Sequence, residues 1–271
     1  MNLTPDSFSD GGVLATPADA VARAQRLRDE GADALDLGGE STRPGAKRVP
    51  EPEQIARTSP VIAAIRAAGV DLPITIDTTR AIVARAALDA GADAVNDVSA
   101  GEDDDAMLPL VREHACGVIL MHRLTLPERD AYSTDYAHEP KYTSGVVHAV
   151  RAALTRAVER ADEHGVTPER VLVDPGLGFG KSVRQNAELL VAAPTLAPLA
   201  AGVLIGASRK SFLAGDSGLL PEERDPASVA AGVLALASGA RCFRVHDVAS
   251  HRIALDAADA LIAQKSLPPR G

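Results

Sequence analysis

The sequence predicts an α/β fold, a (βα)8 barrel whose first strand is reduced to a stub at the N-terminus. Short apolar runs end in polar clusters seven times along the 271 residues, and a helix-like stretch follows each run. This alternation is typical of parallel βα units, and about 250 residues is a common size for a barrel of eight. An eighth polar cluster, at 2–12, opens the chain with almost no strand before it. A doubly wound open sheet is the alternative.

Each predicted strand ends in residues that can carry chemistry. The seven strand regions lie within 34–43, 73–80, 94–99, 117–123, 171–181, 203–211 and 243–247. The eight predicted helices cover 17–30, 52–68, 79–90, 103–114, 144–164, 182–199, 226–238 and 248–264. Gly31, Gly91 and Gly239 each stand between a helix and a strand, where a left-handed glycine commonly ends a helix. No Ser/Gly linker divides the chain, so 1–265 is expected to be one domain and 266–271 a frayed tail.

Composition limits the possible functions. Hydrophobic residues make up 46% of the chain and aromatic residues 3%, with no Trp, so the core is expected to be aliphatic. The net charge of −9 argues against a nucleic-acid or membrane-surface role. No apolar run reaches the roughly 18 residues that a membrane span needs, and no signal peptide is expected. Cys116 and Cys242 fit small buried residues in a reducing cytoplasm, the expected location.

Alternation along the strands predicts a polar layer inside the barrel. Side chains alternate faces along a strand, and the inward set is Thr75, Asp77, Ala94, Asn96, Asp174, Arg244 and His246. Asp97 and Asp247 have the opposite parity and are expected to cap helices or to pair with cations. Helix capping would explain either Asp77 or Asp174 alone. Because burying so many polar groups without partners costs several kcal/mol, a polar ligand is the better explanation.

The charges in these clusters describe the ligand. A carboxylate facing an N–C(NH2)–N edge forms two parallel hydrogen bonds with it. The acceptors Asp77, Asn96 and Asp174 therefore predict that one end of the ligand is a planar, donor-rich ring. The donors and cations predict a phosphate or pyrophosphate at the other end of the ligand. These residues are Arg43, Arg209, Lys210, Arg244 and His246.

The clusters resemble the motifs of the dihydropteroate synthases, a family of pterin-binding TIM-barrel enzymes. The matching motifs are NLTPDSFSDGG, GGESTRPGA, ITIDTTR, VNDVS, LMH, DPGLGFGK, GASRKSF and RVHD, in the family's order and spacing. The resemblance implies that residues 1–265 are a single pterin-binding domain. It also implies condensation of 6-hydroxymethyl-7,8-dihydropterin pyrophosphate with p-aminobenzoate in folate biosynthesis, by a homodimer of the type that sulfonamides target.

The resemblance also assigns roles to individual residues. It implies that the pterin is bound by Asp77, Asn96, Asp174 and Lys210, between the apolar walls Met121 and Phe179. It implies a p-aminobenzoate site lined by Phe8, Pro44, Ser211 and the stem of Lys210. It implies a pyrophosphate site made by Asn2, Thr42, Arg244 and His246, with Arg43 in the same loop. Mg2+ is the implied cofactor, with Asn2 as its ligand. The implied catalytic residues are Asp10, Lys210, Arg244 and His246, acting in a dissociative, SN1-like loss of pyrophosphate.

Two other functions stay open at this point. Methyltetrahydrofolate-dependent methyltransferases share the pterin barrel but have no use for the residues assigned to pyrophosphate. A pterin-binding paralogue without turnover would keep every motif. Segments 5–12 and 41–48, rich in Gly, Pro and Ser, are expected to close as lids. The acidic run EDDDAM at 102–107 is expected to be a helix start favoured by the helix dipole, and 122–142 has no predicted role.

The position of Met1 leads to a separate expectation. The family pattern has a full strand immediately before the Asn-x-Thr-Pro-Asp-Ser segment, whereas here one residue precedes Asn2. We therefore expect Met1 to be an internal methionine of a natural protein that extends upstream by a strand. An open barrel of seven strands is the alternative.

Overall fold

Seven parallel strands form one curled sheet in the computed structural model, which describes residues 1–3, 16–215 and 217–265. Their order in the sheet is their order in the chain. The strands are β1 (Leu35–Gly38), β2 (Ile74–Asp77), β3 (Ala94–Asp97), β4 (Gly117–Met121), β5 (Val171–Asp174), β6 (Gly202–Ile205) and β7 (Cys242–Phe243).

Helices connect the strands, as the α/β pattern predicts. They are α1 (Pro17–Asp29), α2 (Glu51–Ala67), α3 (Ala81–Asp89), α4 (Met107–Glu113), α5 (Val146–Glu163), α6 (Val183–Leu190), α7 (Ala193–Leu196), α8 (Asp225–Ala237) and α9 (Val248–Lys265). Gly31, Gly91 and Gly239 have φ of 95°, 110° and 99° just after helices, as predicted. No helix in the described part of the chain is long and apolar enough to span a membrane.

The predicted stub of a first strand lies beside β1. Asn2 forms a parallel bridge with Gly38. The Leu3 N–H donates to the Gly38 carbonyl at 2.8 Å, and the Gly38 N–H donates to the Met1 carbonyl at 3.2 Å. The stub therefore extends the sheet with the same parallel sense as the other strands.

Three predicted elements were wrong in extent. The helix predicted at 182–199 is broken into α6 and α7 because Pro194, which lacks an N–H, starts a new helical turn instead of continuing the first. Helix α4 begins at Met107, so the acidic run precedes it in a turn. Strand β7 ends at Phe243. The Arg244 N–H still donates to the β6 carbonyl of Ile205 at 3.0 Å, but the His246 N–H turns to the Ser208 hydroxyl. The predicted tail 266–271 lies outside the described residues.

Candidate active site

Polar side chains meet at the carboxyl ends of the strands. Asp77 lies in register between Gly38 and Asn96, and Asp174 lies in register with Met121. Asn96 and Asp174 are 0% and 1% exposed, whereas Asp77 is half-buried. Because barrels of this type bind ligands at this end, we take the layer as the candidate active site.

Arg244 crosses the centre of this layer. Its Nη1 lies 3.3 Å from Asp36 Oδ2, and its Nη2 lies 3.3 Å from Asp174 Oδ2. Burial disfavours the charged guanidinium, but Asp36 and Asp174 outweigh it and raise the pKa of Arg244. Gly206 allows the close approach, because a Cβ there would lie 3.2 Å from Nη2. Arg244 is therefore a fixed cation that joins β1 to β5.

Asn96 presents an unpaired acceptor. Its Nδ2 donates to Asp36 Oδ2 at 3.1 Å, and this contact settles the amide orientation because a carboxylate only accepts. Its Oδ1 is buried and receives no hydrogen bond from any described residue. Leaving such an atom unpaired costs about 1–3 kcal/mol. The site is therefore suited to a ligand that supplies a donor.

Asp77 is a second acceptor with unusual acidity. Burial, together with the negative charge of Asp36, raises the pKa of Asp77 to about 7, although Arg244 opposes the shift. The carboxyl group therefore changes its ionisation near neutral pH, and a donor-rich ligand would stabilise its charged form.

Lys210 lies against the glycine-rich turn after β5. Its Nζ donates to the Leu177 carbonyl and lies 4.7 Å from the centre of the Phe179 ring. Gly178, with φ of 80°, leaves room for this side chain, because a Cβ would lie 3.1 Å from Lys210 Cδ. Burial lowers the pKa of Lys210 to about 7, with Asp174 opposing and Arg244 reinforcing the shift.

An apolar cluster borders the polar layer. Met121 and Phe179 are 1% and 8% exposed and pack with Val98, at the ends of β4, β5 and β3 respectively. A flat ring held by the polar layer would therefore find aliphatic and aromatic surface on this side.

His246 is held as a neutral ring at the mouth of the site. The Ser208 hydroxyl accepts the His246 backbone N–H at 3.2 Å and lies 3.0 Å from Nδ1. The hydroxyl has a proton and a second lone pair, so it can either donate to Nδ1 or accept from it. Partial desolvation and the charges of Arg209 and Arg43 lower the pKa of His246. The ring is therefore neutral at neutral pH and has one N–H to donate.

A cleft opens between Asp77 and the loop 41–48. Its walls include Thr42, Thr78 and Val98. The loop is fixed at its tip, where the Gly45 N–H donates to the Pro127 carbonyl at 2.8 Å. The cleft therefore lies next to the acceptor end of the polar layer, on the side of the loop that carries Arg43 and Pro44.

Known proteins are similar to this chain in sequence. A family model for pterin-binding enzymes matches residues 1–246. The chain belongs to the pterin-binding enzyme family. The dihydropteroate synthase of Mycobacterium leprae is 44% identical over 255 residues, covering 92% of this chain and 87% of that protein. The dihydropteroate synthase of Synechocystis is 40% identical over 266 residues, covering 96% of this chain and 88% of that protein.

Solved structures of dihydropteroate synthases match the fold. The Xanthomonas albilineans enzyme with 4-aminobenzoic acid has a TM-score of 0.85 at 42% identity, covering 98% of this chain and 92% of that one. The Yersinia pestis enzyme with a sulfonamide drug has a TM-score of 0.88 at 34% identity, covering 97% and 92%. The resemblance drawn from the motifs and the predicted barrel fold are thus confirmed.

The structure brings most of the predicted residues of this family member together. Asp77, Asn96, Asp174, Lys210 and Arg244 share one layer, with Met121 and Phe179 at its side. The Ser211 hydroxyl is turned to the segment after β4, where it accepts the Ser133 N–H at 3.2 Å. Arg209 forms a bidentate ion pair with Asp225, with both contacts at 2.8 Å. This pair ties the SRKS segment to the start of α8. Phe8 and Asp10 lie outside the described residues.

Sequence reasoning missed Asp36. Its carboxylate accepts from Asn96 and from the Thr75 hydroxyl, the latter at 2.6 Å, and pairs with Arg244. The signal was present, because Asp36 alternates with Leu35 and Leu37 just as Asp77 alternates with its isoleucines.

Lys181 was missed as well. It is fully buried, donates to the carbonyls of Gly176 and Phe179 at 2.9 and 2.8 Å, and lies 3.1 Å from His122 Nδ1. Burial, with the charge of Lys210, lowers the pKa of Lys181 to about 7. The side chain thus fixes the turn that carries Phe179, a role that a lysine at the end of a glycine-rich run does not reveal from sequence.

Asn2 is the candidate ligand for Mg2+, and substrate phosphate oxygens would supply further ligands. Within the described ranges no three or more His, Cys, Asp or Glu side chains are grouped to hold an ion. Asn2 is exposed beside Gly38, at the level of Asp77. Its amide oxygen is a hard donor of the kind that fits Mg2+, which commonly takes few protein ligands and completes its shell with water and phosphate oxygens.

Proposed function

We propose that this chain is a dihydropteroate synthase that joins 6-hydroxymethyl-7,8-dihydropterin pyrophosphate to p-aminobenzoate. The observation that carries the proposal is the buried, unpaired Oδ1 of Asn96, on strand β3, which lies between the strands that carry Asp77 and Asp174. These acceptors suit the N–H groups of a pterin, and the adjoining cations suit its pyrophosphate. The sequence and fold of the relatives support the same activity.

Pterin binding would change the partners of Arg244. The contact of 3.3 Å between Arg244 and Asp174 is long for a charged hydrogen bond, so ring donors can take its place. The guanidinium then becomes available to the pyrophosphate beside the neutral ring of His246. Lys210, with Asp174 next to it, reaches the carbonyl side of the ring, while Phe179 covers its face.

The chemistry needs stabilisation of charge more than a protein nucleophile. The methylene C–O bond breaks with its electron pair leaving on pyrophosphate, where Arg244 and Arg43 neutralise the growing charge and His246 and Thr42 donate hydrogen bonds to it. Mg2+ bound through Asn2 would add Lewis-acid stabilisation of the leaving group. The dihydropterin spreads the resulting positive charge, and Asp10 is proposed to stabilise it. The p-aminobenzoate nitrogen then donates its lone pair to the methylene carbon and loses a proton.

The second substrate is proposed to bind between the loops. Pro44 of the loop 41–48, Ser211, Phe8 and the stem of Lys210 would line the p-aminobenzoate site. A sulfonamide, which has the same aniline group, should compete there. We expect both to bind much better once pyrophosphate and Mg2+ are present, because the loops then close over them.

One assay separates the candidate functions. Purified protein with dihydropterin pyrophosphate, p-aminobenzoate and Mg2+ should release dihydropteroate and pyrophosphate, and a chelator should stop the reaction. Pterin binding without product would identify a paralogue that has lost turnover. Transfer of a methyl group from methyltetrahydrofolate, without pyrophosphate release, would identify a methyltransferase.

We also propose a cytoplasmic homodimer. Leu234 on α8 and Ile253 and Leu261 on α9 are 56%, 73% and 64% exposed, and the two helices pack against each other. Apolar side chains grouped on neighbouring surface helices favour an interface between copies. Cys116 and Cys242 are unpaired thiols, which suits a reducing compartment. Sedimentation velocity of wild type and Ile253→Lys checks the interface: the variant should shift to monomer.

A further inference from the structure

A network of charged side chains holds the loop 41–48 in place. Asp103, in the acidic turn before α4, lies between two arginines. Its Oδ2 is 2.9 Å from Arg48 Nη2, at the end of the loop, and its Oδ1 accepts from Arg123, which follows β4. The side chains of Asp103 and Arg123 are only 12% and 11% exposed, whereas that of Arg48 is 43% exposed. Arg123 thus fixes the Asp103 carboxylate, whose other oxygen faces the loop.

The backbone of Asp103 is itself anchored to strand β3. Its N–H donates to the Ser99 hydroxyl at 3.2 Å, and that hydroxyl donates to Asp97 Oδ1 at 2.6 Å. Asp97 is 0% exposed and also accepts the Gly101 N–H at 2.8 Å. Arg80 Nη1 donates to the Asp103 carbonyl at 3.3 Å. The position of Asp103 is therefore set by strand β3 and Arg80, and Asp103 in turn holds the loop 41–48.

Further contacts hold the same loop from other directions. Arg48 Nε lies 3.8 Å from Glu128, and the Gly45 N–H donates to Pro127, so the segment after β4 forms one wall. At the other side, Glu40 accepts the Val49 N–H at 2.5 Å. Asp103, Arg48 and Arg123 line the same cleft as Thr42 and Asp77. The network is thus built into the wall of the cleft.

We propose that Asp103 is a positioning residue for the second substrate. By fixing Arg48 it holds Thr42, Arg43 and Pro44 near their working positions, so that binding p-aminobenzoate orders less of the chain. This inference rests on the proposed function. The Asp103 side chain lines the cleft together with Asp77, but its ion pairs join it to Arg48 of the loop and to Arg123. Loss of Asp103 should therefore weaken binding of p-aminobenzoate and leave binding of the pterin nearly unchanged.

The test compares Asp103→Asn with Asp105→Asn. Both remove one negative charge from the same turn, but Asp105 is exposed. We expect the KM for p-aminobenzoate to rise about tenfold in Asp103→Asn, equivalent to about 1.4 kcal/mol. The Kd for a neutral pterin, measured by calorimetry, should stay within about twofold of wild type. Asp105→Asn should match wild type in both.

A double-mutant cycle tests whether Asp103 acts through its contact with Arg48. Arg48→Gln should raise the same KM, and adding it to Asp103→Asn should raise the KM little further, since both break one contact. Additive effects would overturn the coupling. Equal losses for both substrates, or no loss for p-aminobenzoate, would overturn the positioning role.

Amide hydrogen exchange provides a readout that does not depend on activity. Exchange in 41–48 should be faster in Asp103→Asn than in wild type and unchanged in Asp105→Asn. Unchanged exchange in Asp103→Asn would overturn the inference even if the KM rose. If wild type forms no dihydropteroate, the proposed function fails and the assignment to p-aminobenzoate falls with it, whereas the exchange result still decides whether Asp103 holds the loop.

Discussion

Replacing Asp174 by Asn should weaken pterin binding without removing the shape of the site. Asp174 uses Oδ1 to accept the Gly176 N–H at 2.7 Å, and its Oδ2 lies 3.3 Å from Arg244 Nη2. In Asp174→Asn the amide oxygen can keep the Gly176 contact. The amide nitrogen then stands where Oδ2 stood, and presents a donor to Arg244 and to the donors of a pterin.

The expected magnitude follows from those contacts. Asp174 is 1% exposed, so solvent cannot replace the lost acceptor. A hydrogen bond to a charged group contributes about 1.5–3 kcal/mol. Losing one such bond to the ligand corresponds to an affinity about 10- to 150-fold weaker. Because the ligand displaces Arg244 from Asp174, wild type gives up that contact on binding and the variant does not, which offsets part of the loss and favours the lower end of this range.

Isothermal calorimetry with a neutral pterin measures the effect directly. Asp97→Asn is the matched control, because Asp97 is equally buried at a strand end but faces its own turn, where it accepts from Ser99 and Gly101. The control should lose thermal stability while its pterin affinity stays within about twofold. Wild-type affinity in Asp174→Asn, or an equal loss in both variants, would refute the assignment of Asp174 as a pterin anchor.

Three further predictions concern charge and backbone. Arg244→Ala should weaken binding of pyrophosphate far more than binding of a neutral pterin alcohol, measured by calorimetry; equal losses would contradict its assignment to pyrophosphate. Burial and the charge of Asp36 raise the pKa of Asp77 to about 7, so folding takes up a proton between about pH 4 and 7 and stability falls as pH rises through that window. Asp77→Asn should therefore stabilise the protein more at pH 8 than at pH 5 in urea titrations, and a pH-independent difference would refute this. Gly176→Ala should cost more than about 2 kcal/mol, because its Cβ would meet the His122 carbonyl at 1.9 Å, whereas Gly45→Ala, with a similar positive φ and open space, should cost about 1 kcal/mol; equal losses in denaturant titrations would show that the clash does not matter.

The local pattern of the chain was sufficient for most of the fold. Apolar runs separated by helical stretches predicted β1 to β7 in order, and the alternation within each run predicted which side Asp77, Asn96 and Asp174 would face. These are local properties, because side-chain direction along a strand repeats every two residues whatever the neighbours are. The same rule applied to the run before GGE would have found Asp36.

Element ends were less predictable where proline or a side-chain contact decided them. The apolar pattern of 182–199 reads as one helix, yet Pro194 separates α6 from α7. In β7 the ladder stops because the His246 N–H finds a hydroxyl partner from the SRKS segment, which comes from another part of the chain.

The chain by itself determined the barrel pattern, the inward polar layer and the type of ligand this layer suits. Tertiary structure alone decided which charges neutralise one another. Arg209 pairs with Asp225, Arg244 spans two carboxylates, and the acidic turn before α4 anchors a loop that precedes it by about 55 residues, the separation of Arg48 and Asp103. Such pairings depend on which strand ends become neighbours when the sheet curls. That arrangement comes from packing between distant segments, and no window of sequence contains it.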